Sequence, residues 1–288
     1  MEKSTLKRIS LPSPAKLNLF LHITGQRADG YHNLQTIFQF LDVSDTLHFT
    51  LRPDPTLTLT PELAGVPHEQ NLIIRAARAL QQASSCSLGA DIELIKILPM
   101  GGGIGGGSSN AATTLLALNV LWNLDWPLTQ LAELGLTLGA DVPIFIYGHT
   151  AWAEGVGEVI TPLNLAEKAY LVLKPACEIS TREIFSHPAL TRNSSAIKVA
   201  ASEAQGGRND CESVVTELYP AVRNALSWLR QYGEAKLTGT GSCVFLPCDT
   251  RAQAQSLLSD CPFAGFVASA QNVSPTHQAL RQFKESGY

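Results

Sequence analysis

The sequence lacks the marks of several large classes of protein. No apolar run approaches the roughly 20 residues that a membrane-spanning helix needs. The opening MEKSTLKRIS contains neither the apolar stretch nor the small-residue cleavage site of a secretory signal peptide. The 6 cysteines form no CxxC pair and show no zinc-ligand spacing with histidine. We therefore expect a soluble, cytoplasmic protein with reduced thiols, without a membrane partner and with no assigned metal ligand.

Clustered positive charge is also missing. The formal net charge is -4, and the largest basic grouping near the start is the pair Lys7 and Arg8. A nucleic-acid-binding domain usually shows a basic patch, so no nucleic-acid partner is expected. The composition is that of an ordinary globular protein, with 45% hydrophobic and 16% charged residues. Nothing in the sequence predicts an oligomeric state.

Hydrophobic periodicity predicts both strands and helices. Residues 17–23 alternate apolar with polar, which predicts a strand whose polar face carries Lys16 and Asn18. Helices are predicted at 71–83, 108–124 and 210–232. The segment 191–208 is rich in small and polar residues and is predicted to be a flexible loop. We expect an α+β protein of two domains, 1–166 and 167–288.

A glycine-rich segment, LPMGGGIGGGSSNAA at 98–112, is the strongest local signal. Glycine lets backbone approach a ligand closely, and the first amides of a helix attract anions, so the segment predicts a phosphate site. A dinucleotide-binding turn, a Walker A loop and a mere hinge compete with this interpretation. The dinucleotide motif lacks an acidic residue after a second strand, and the Walker motif lacks its lysine. A fourth pattern, Pro-x3-Gly-[Leu/Ile]-Gly followed by Ser-Ser, fits without omission.

That fourth pattern resembles the phosphate loop of the GHMP kinase superfamily. Two further segments, LGADVPIF at 138–145 and LTGTGSCVF at 237–245, resemble other landmarks of that family. The resemblance implies a ribosomal-protein S5-like N-terminal domain, a ferredoxin-like C-terminal domain, and the use of ATP with Mg²⁺. It implies that ATP is bound by Pro99, Met100, Gly101, Gly102, Gly103, Ile104, Gly105, Gly106, Gly107, Ser108 and Ser109. It also places Gly239 and Gly241 at the substrate, beside the nucleotide phosphates.

The segment PSPAKLNLFLHITGQRADGYHNLQTIFQ at 12–39 resembles one branch of this superfamily. Members of that branch phosphorylate the 2-hydroxyl of CDP-methylerythritol in the non-mevalonate isoprenoid pathway. The resemblance implies that Lys16 and Asp141 are the catalytic pair, with Asp141 as base. It further implies contacts to the substrate from Asn18, Tyr31, His32 and Phe185, and contacts to the nucleotide from Asn71 and Lys96.

Other interpretations stay open on the residues alone. Asp141 could be only a helix cap, Lys16 an exposed strand lysine, and the aromatic residues part of the core or surface. A relative acting on homoserine or a mevalonate derivative would share the same loop. A nucleotide sensor or an RNA-binding protein could use the same fold without catalysis. No magnesium ligand can be assigned, although Ser108 is suitably placed in the sequence.

Overall fold

The computed structural model describes residues 7–198 and 207–286. Within these ranges the chain forms ten strands and nine α-helices, which confirms the predicted α+β class. The strands are β1 (Arg8–Gln26), β2 (His32–Arg52), β3 (Leu57–Thr60), β4 (Gly89–Ile95), β5 (Ala151–Glu154), β6 (Val159–Pro162), β7 (Ala169–Leu173), β8 (Lys236–Leu237), β9 (Val244–Cys248) and β10 (Gly265–Gln271). The helices are α1 (Leu72–Ser84), α2 (Gly106–Leu121), α3 (Leu128–Leu136), α4 (Val142–Tyr147), α5 (Thr181–Ser186), α6 (Glu212–Leu218), α7 (Pro220–Leu229), α8 (Arg251–Ser259) and α9 (Pro275–Glu285).

The long strand β2 lies at the centre of the sheet. It pairs antiparallel with β1, β4, β5 and β10, and β4 pairs in parallel with β3. The sheet then continues from β10 through β7 and β9 to β8. The pairing of β1 with β2 runs from Arg8 opposite Thr50 to Gln26 opposite His32. The hairpin therefore brings the start of β2 close to the end of β1.

Helix α2 is buried on almost every side, because it packs against α1, α4, β1 and β2. A helix that is apolar all round belongs in a protein interior, and α2 has alanine, leucine and threonine on every face. Its N-cap residue is Gly105, whose φ of 76° is left-handed and therefore suits glycine. The predicted helix 108–124 thus begins two residues earlier, and its first turn is made by the glycine-rich segment itself.

A hydrophobic cluster separate from the surroundings of α2 lies under β7, β9 and the helices α6 and α7. The single helix predicted at 210–232 is wrong, because the chain breaks between α6 and α7. Tyr219 has φ −122° and ψ 87°, outside the helical region, and Pro220 then starts α7. Proline disfavours helical geometry in the residue before it and has no amide hydrogen to donate, so the break falls there.

The C-terminal part of the chain returns to the N-terminal part. Strand β10 pairs with both β7 and β2, and α9, which the sequence did not predict, packs against β1. The division into 1–166 and 167–288 stays a prediction. Residues 191–198 form no helix or strand, and residues 199–206 of the predicted loop lie outside the described residues. No helix in the described ranges is long and apolar enough to cross a membrane.

Candidate active site

A cavity of about 1260 Å³ opens between the glycine-rich segment, β1, the start of β2 and α5. It brings together residues that are far apart in the sequence. The predicted site residues that line it are Lys16, Asn18, Tyr31, His32, Asn71, Lys96, Pro99, Met100, Gly101, Gly102, Gly103, Ile104, Gly105, Gly106, Gly107, Ser108, Asp141, Phe185 and Gly239. Two other predicted site residues, Ser109 and Gly241, do not line the cavity. Ser109 is fully buried, 2.8 Å from the Ser13 hydroxyl, and Gly241 packs against Ile179 and Leu237.

Lys16 is a buried cation at the floor of the cavity. Its side chain is 2% exposed, and its Nζ donates to Asn18 Oδ1 at 2.5 Å and to the Gly103 carbonyl at 3.2 Å. Nζ also lies 3.2 Å from Asp141 Oδ2 and 5.2 Å from the centre of the Phe38 ring. A buried ammonium is costly unless it is paired and hydrogen-bonded, and each of these contacts offsets that cost. Lys16 is therefore not an exposed strand lysine.

Asp141 occupies the N-cap position of α4 without acting as a cap. Its side chain makes no capping hydrogen bond, and its backbone is in the right-handed helical region. The carboxylate instead pairs with Lys16 and stays 37% exposed toward the cavity. The pair thus joins a fixed buried cation to a carboxylate that a ligand can reach.

The glycine-rich segment packs tightly against the predicted C-terminal glycine motif. A Cβ on Gly103 would lie 2.5 Å from the Thr238 carbonyl oxygen and 2.8 Å from that of Gly241, and φ of Gly103 is 71°. The Cys243 amide donates to the Gly102 carbonyl at 3.0 Å. Only glycine fits this approach, so the two glycine motifs form one wall of the cavity.

The start of α2 carries the anion-binding features that the sequence predicted. The amides of Gly106, Gly107 and Ser108 fall in the first turn, where a helix offers them no partner. Lys96 lies beside this turn, because a Cβ on Gly106 would be 3.4 Å from its Nζ. Lys96 Nζ is 2.6 Å from Asp45, a fully buried carboxylate that also accepts two backbone amides. The lysine is thereby held next to the helix start.

Asn71 is the N-cap of α1, and the next residue, Leu72, lies beside Gly107 in the first turn of α2. Its Oδ1 accepts from the Ile73 amide at 3.0 Å, which fixes the side chain. No partner for its amide nitrogen is found among residues 7–198 and 207–286, and the residue lines the cavity. The side chain can therefore donate to a ligand there.

Aromatic side chains form the opposite end of the cavity. The rings of His32 and Phe185 lie 5.2 Å apart at 32°, while Tyr31 is 62% exposed. Burial lowers the pKa of His32, and the charge of Arg192 lowers it further. The lowered pKa favours the neutral ring of His32, and the rings of Tyr31, His32 and Phe185 all line this part of the cavity.

Family models match two segments of this chain. The N-terminal domain of the GHMP kinases matches residues 71–149, and the C-terminal domain of the GHMP kinases matches residues 187–265. This chain belongs to the GHMP kinase family, and it has the two-domain α+β fold of that family. Curated relatives include the 4-diphosphocytidyl-2-C-methyl-D-erythritol kinases of two pseudomonads. That of Pseudomonas fluorescens (strain Pf0-1) is 58% identical over 279 residues, which is 96% of this chain and 99% of the relative. That of Pseudomonas syringae pv. syringae (strain B728a) is 58% identical over 277 residues, with 95% and 98% covered.

Solved structures agree with this assignment. A 4-(cytidine 5'-diphospho)-2C-methyl-D-erythritol kinase superimposes with a TM-score of 0.76 at 29% identity, covering 91% of this chain and 99% of that chain. A homoserine kinase from Cytophaga hutchinsonii superimposes with a TM-score of 0.70 at 14% identity, covering 95% and 98%. The second match supports the fold alone.

Several residues around the cavity were missed by the sequence analysis. Asp45 carries no local motif, and its role depends on Lys96, which follows the end of β4. Thr238 accepts a hydrogen bond from the backbone amide of Asn18 at 2.9 Å, and its local signal is its position within the LTGTGS segment. Arg192 donates to His32 Nε2 at 3.1 Å but lies in a segment without periodicity.

Proposed function

We propose that this chain is an ATP-dependent kinase that phosphorylates the 2-hydroxyl of 4-diphosphocytidyl-2-C-methyl-D-erythritol, a step of the non-mevalonate isoprenoid pathway. The observation that carries the proposal is one cavity with two unlike ends. One end holds the Lys16–Asp141 pair beside the glycine-rich helix start, and the other holds the His32–Phe185 aromatic pair. Relatives of that name at 58% identity over nearly the whole chain support the same substrate.

In the proposed reaction Asp141 takes the proton of the 2-hydroxyl. The oxygen then forms a bond to the γ-phosphorus of ATP, the bond to the β-phosphate oxygen breaks, and ADP leaves. Asp141 suits this role because it is partly exposed and is not used as a helix cap. A positioned base of this kind contributes about 10²- to 10⁴-fold to a rate.

Lys16 is proposed to orient Asp141 and to offset negative charge on the transferred phosphoryl group. Its Nζ is fixed by three polar contacts, so its charge needs no reorganisation during the reaction. Asn18 holds Lys16 through its Oδ1 and is itself held by Thr36, to whose hydroxyl its amide nitrogen donates at 2.9 Å. Asn18 therefore acts here as a fixed neighbour of the reacting groups.

The triphosphate of ATP is proposed to lie on the first turn of α2. The residues fit such a group, because three free amides, the positive end of a helix and Lys96 converge there while glycine leaves the space open. Pro99 and Met100 continue this wall, and Asn71 is proposed to reach the adenine.

The proposal includes Mg²⁺, which when bound shields the phosphate charge during transfer. No group of three or more histidine, cysteine, aspartate or glutamate side chains within 7–198 and 207–286 could hold a metal ion. Mg²⁺ commonly binds through phosphates, water and one or two protein oxygens. Ser108 supplies such an oxygen at the cavity wall.

Cytosine is proposed to bind at the aromatic end. Tyr31 and Phe185 offer ring faces for stacking, and His32 offers a ring nitrogen to the edge of the base. Gly239, in the wall that the two glycine motifs form together, leaves room for the diphosphate and sugar between the two ends.

An assay of ADP release with a panel of alcohols tests the proposal. The cytidine diphosphate substrate should be turned over, whereas mevalonate and homoserine, which carry no base, should not. Turnover of mevalonate or homoserine without turnover of the cytidine compound would assign the chain to another branch of the family. ATP binding without turnover of any alcohol would favour a nucleotide sensor.

A further inference from the structure

Arg192 connects His32 and Phe185, two of the aromatic residues that line the cavity. Its Nε donates to His32 Nε2 at 3.1 Å, and one terminal nitrogen donates to the carbonyls of Phe185 and His187, each at 2.9 Å. The other terminal nitrogen donates to the Leu190 carbonyl at 3.1 Å. A single planar guanidinium thus ties the ring of His32 to the backbone that carries Phe185.

This arrangement fixes the tautomer of His32. A guanidinium has donors and no acceptor, so the Nε2 lone pair of His32 must receive the hydrogen bond. A neutral imidazole then carries its proton on Nδ1. Within 7–198 and 207–286, Nδ1 of His32 has no hydrogen-bond partner, yet it is not among the buried polar atoms that lack one. Nδ1 is therefore not fully buried, it presents a donor, and His32 is one of the residues that line the cavity.

We infer that Arg192 is a positioning residue that makes the cavity select cytosine over uracil, by holding His32 as a donor toward atom N3 of the base. N3 of cytosine is an acceptor, whereas N3 of uracil carries a hydrogen and is a donor. Two donors facing each other in an enclosed site leave both unpaired, which is costly. This inference rests on the proposed function, since it concerns the base of the same substrate.

The first experiment compares two substrates that differ only in the base, the CDP-linked and UDP-linked forms of methylerythritol. The unmodified enzyme should favour the CDP form in kcat/KM by about 10- to 100-fold, because one unpaired group has an effect of that size. In Arg192→Met the proton of His32 is no longer fixed. The kcat/KM values of the CDP and UDP forms should then lie within about threefold of each other. We expect this loss of preference because KM for the CDP form rises while kcat changes little.

Two further variants separate positioning from folding. Arg192→Lys keeps the charge, but one ammonium cannot span His32 and the carbonyls, so the same loss of preference is expected. Arg223→Met removes an arginine that donates to the Thr216 carbonyl outside the cavity, and it should keep the full preference. If Arg192→Met and Arg192→Lys raised KM equally for both substrates, Arg192 would serve structure alone and the inference would be overturned.

A second measurement needs no substrate. Nitrogen–proton correlation NMR of the ligand-free enzyme should show the His32 proton on Nδ1, and in Arg192→Met a mixture of both tautomers. A proton on Nε2 in the unmodified enzyme would refute the inference about Arg192 but would leave the proposed function untouched. Absence of turnover with both nucleotide substrates would instead refute the proposed function.

Discussion

Replacement of Lys16 by methionine tests the proposed catalytic pair most informatively. Methionine is only one heavy atom shorter than lysine and fills most of the same buried volume, but it removes the charge and all three donors. Asp141 would lose a cation at 3.2 Å, and Asn18 Oδ1 and the Gly103 carbonyl would each lose a donor. The substitution therefore separates charge from packing.

The size of the effect follows from these contacts. Two charges 3.2 Å apart interact by about 1 to 5 kcal/mol for an effective dielectric constant between 80 and 20. The exposure of Asp141 favours the lower part of this range. Loss of a fixed charge at a phosphoryl group lowers kcat by about 10²- to 10³-fold. The free energy of unfolding should fall by only about 2 kcal/mol or less. The loss of the hydrogen bonds is partly offset, because the buried ammonium no longer has to be desolvated.

The assay combines steady-state kinetics with calorimetry. Lys16→Met should lose most of kcat while its Tm moves by no more than about 8 °C. Lys236→Met is the matched control, since Lys236 is a half-buried strand lysine outside the cavity, and it should keep kcat. A Lys16→Met enzyme with kcat within about threefold of the unmodified enzyme and a strongly lowered Tm would show that Lys16 is structural.

Three other changes test separate parts of the site. Asp141→Asn should lower kcat about 10²- to 10⁴-fold and leave ATP affinity unchanged in a titration, whereas unchanged kcat would remove the proposed base. Gly103→Ala should raise the KM for ATP at least about tenfold, because its Cβ would lie 2.5 Å from the Thr238 carbonyl oxygen. Gly65→Ala, with φ of 78° and open space, is its control and should change only stability, by about 1 kcal/mol. The pKa of His32 is lowered, so KM for the cytidine substrate should stay constant above about pH 6.5 and rise only as pH falls through the lowered pKa.

The fold favours the neutral ring of His32, so protonation penalises the native state only as pH falls below the ordinary pKa of 6.5 and toward the lowered one. A protonated Nε2 could no longer accept from Arg192. The same profile in a His32→Gln variant would show that another group titrates. His22 and His277 also have lowered pKa values, so KM is a better readout here than overall stability.

The glycine-rich segment could be predicted from the sequence because its signal is local. Glycine density and a following apolar helix define both the loop and the start of α2 within a few residues. The burial of Lys16 was harder to predict from the sequence. Alternation in β1 placed Lys16 on a polar face, but the glycine loop covers that face. Alternation identifies the face of a side chain but not what later packs on that face.

Other features depend on contacts between distant segments. Arg192 lies in a stretch with no periodicity, and only the fold places it between His32 and Phe185. The break at Pro220 did have a local signal, but the apolar periodicity continues on both sides of the proline and favoured one helix. The likeness to one branch of the family predicts that Lys16 and Asp141 form a pair, and the ion pair at 3.2 Å agrees with this prediction.

Identification of the reaction product tests the central claim most directly. The purified chain is mixed with ATP, Mg²⁺ and 4-diphosphocytidyl-2-C-methyl-D-erythritol, and phosphorus NMR locates the new phosphate. We expect a phosphomonoester on the 2-hydroxyl with the cytidine diphosphate intact, and no such signal over the same time with Asp141→Asn. A phosphate on another hydroxyl, or an equal yield from Asp141→Asn, would contradict the account.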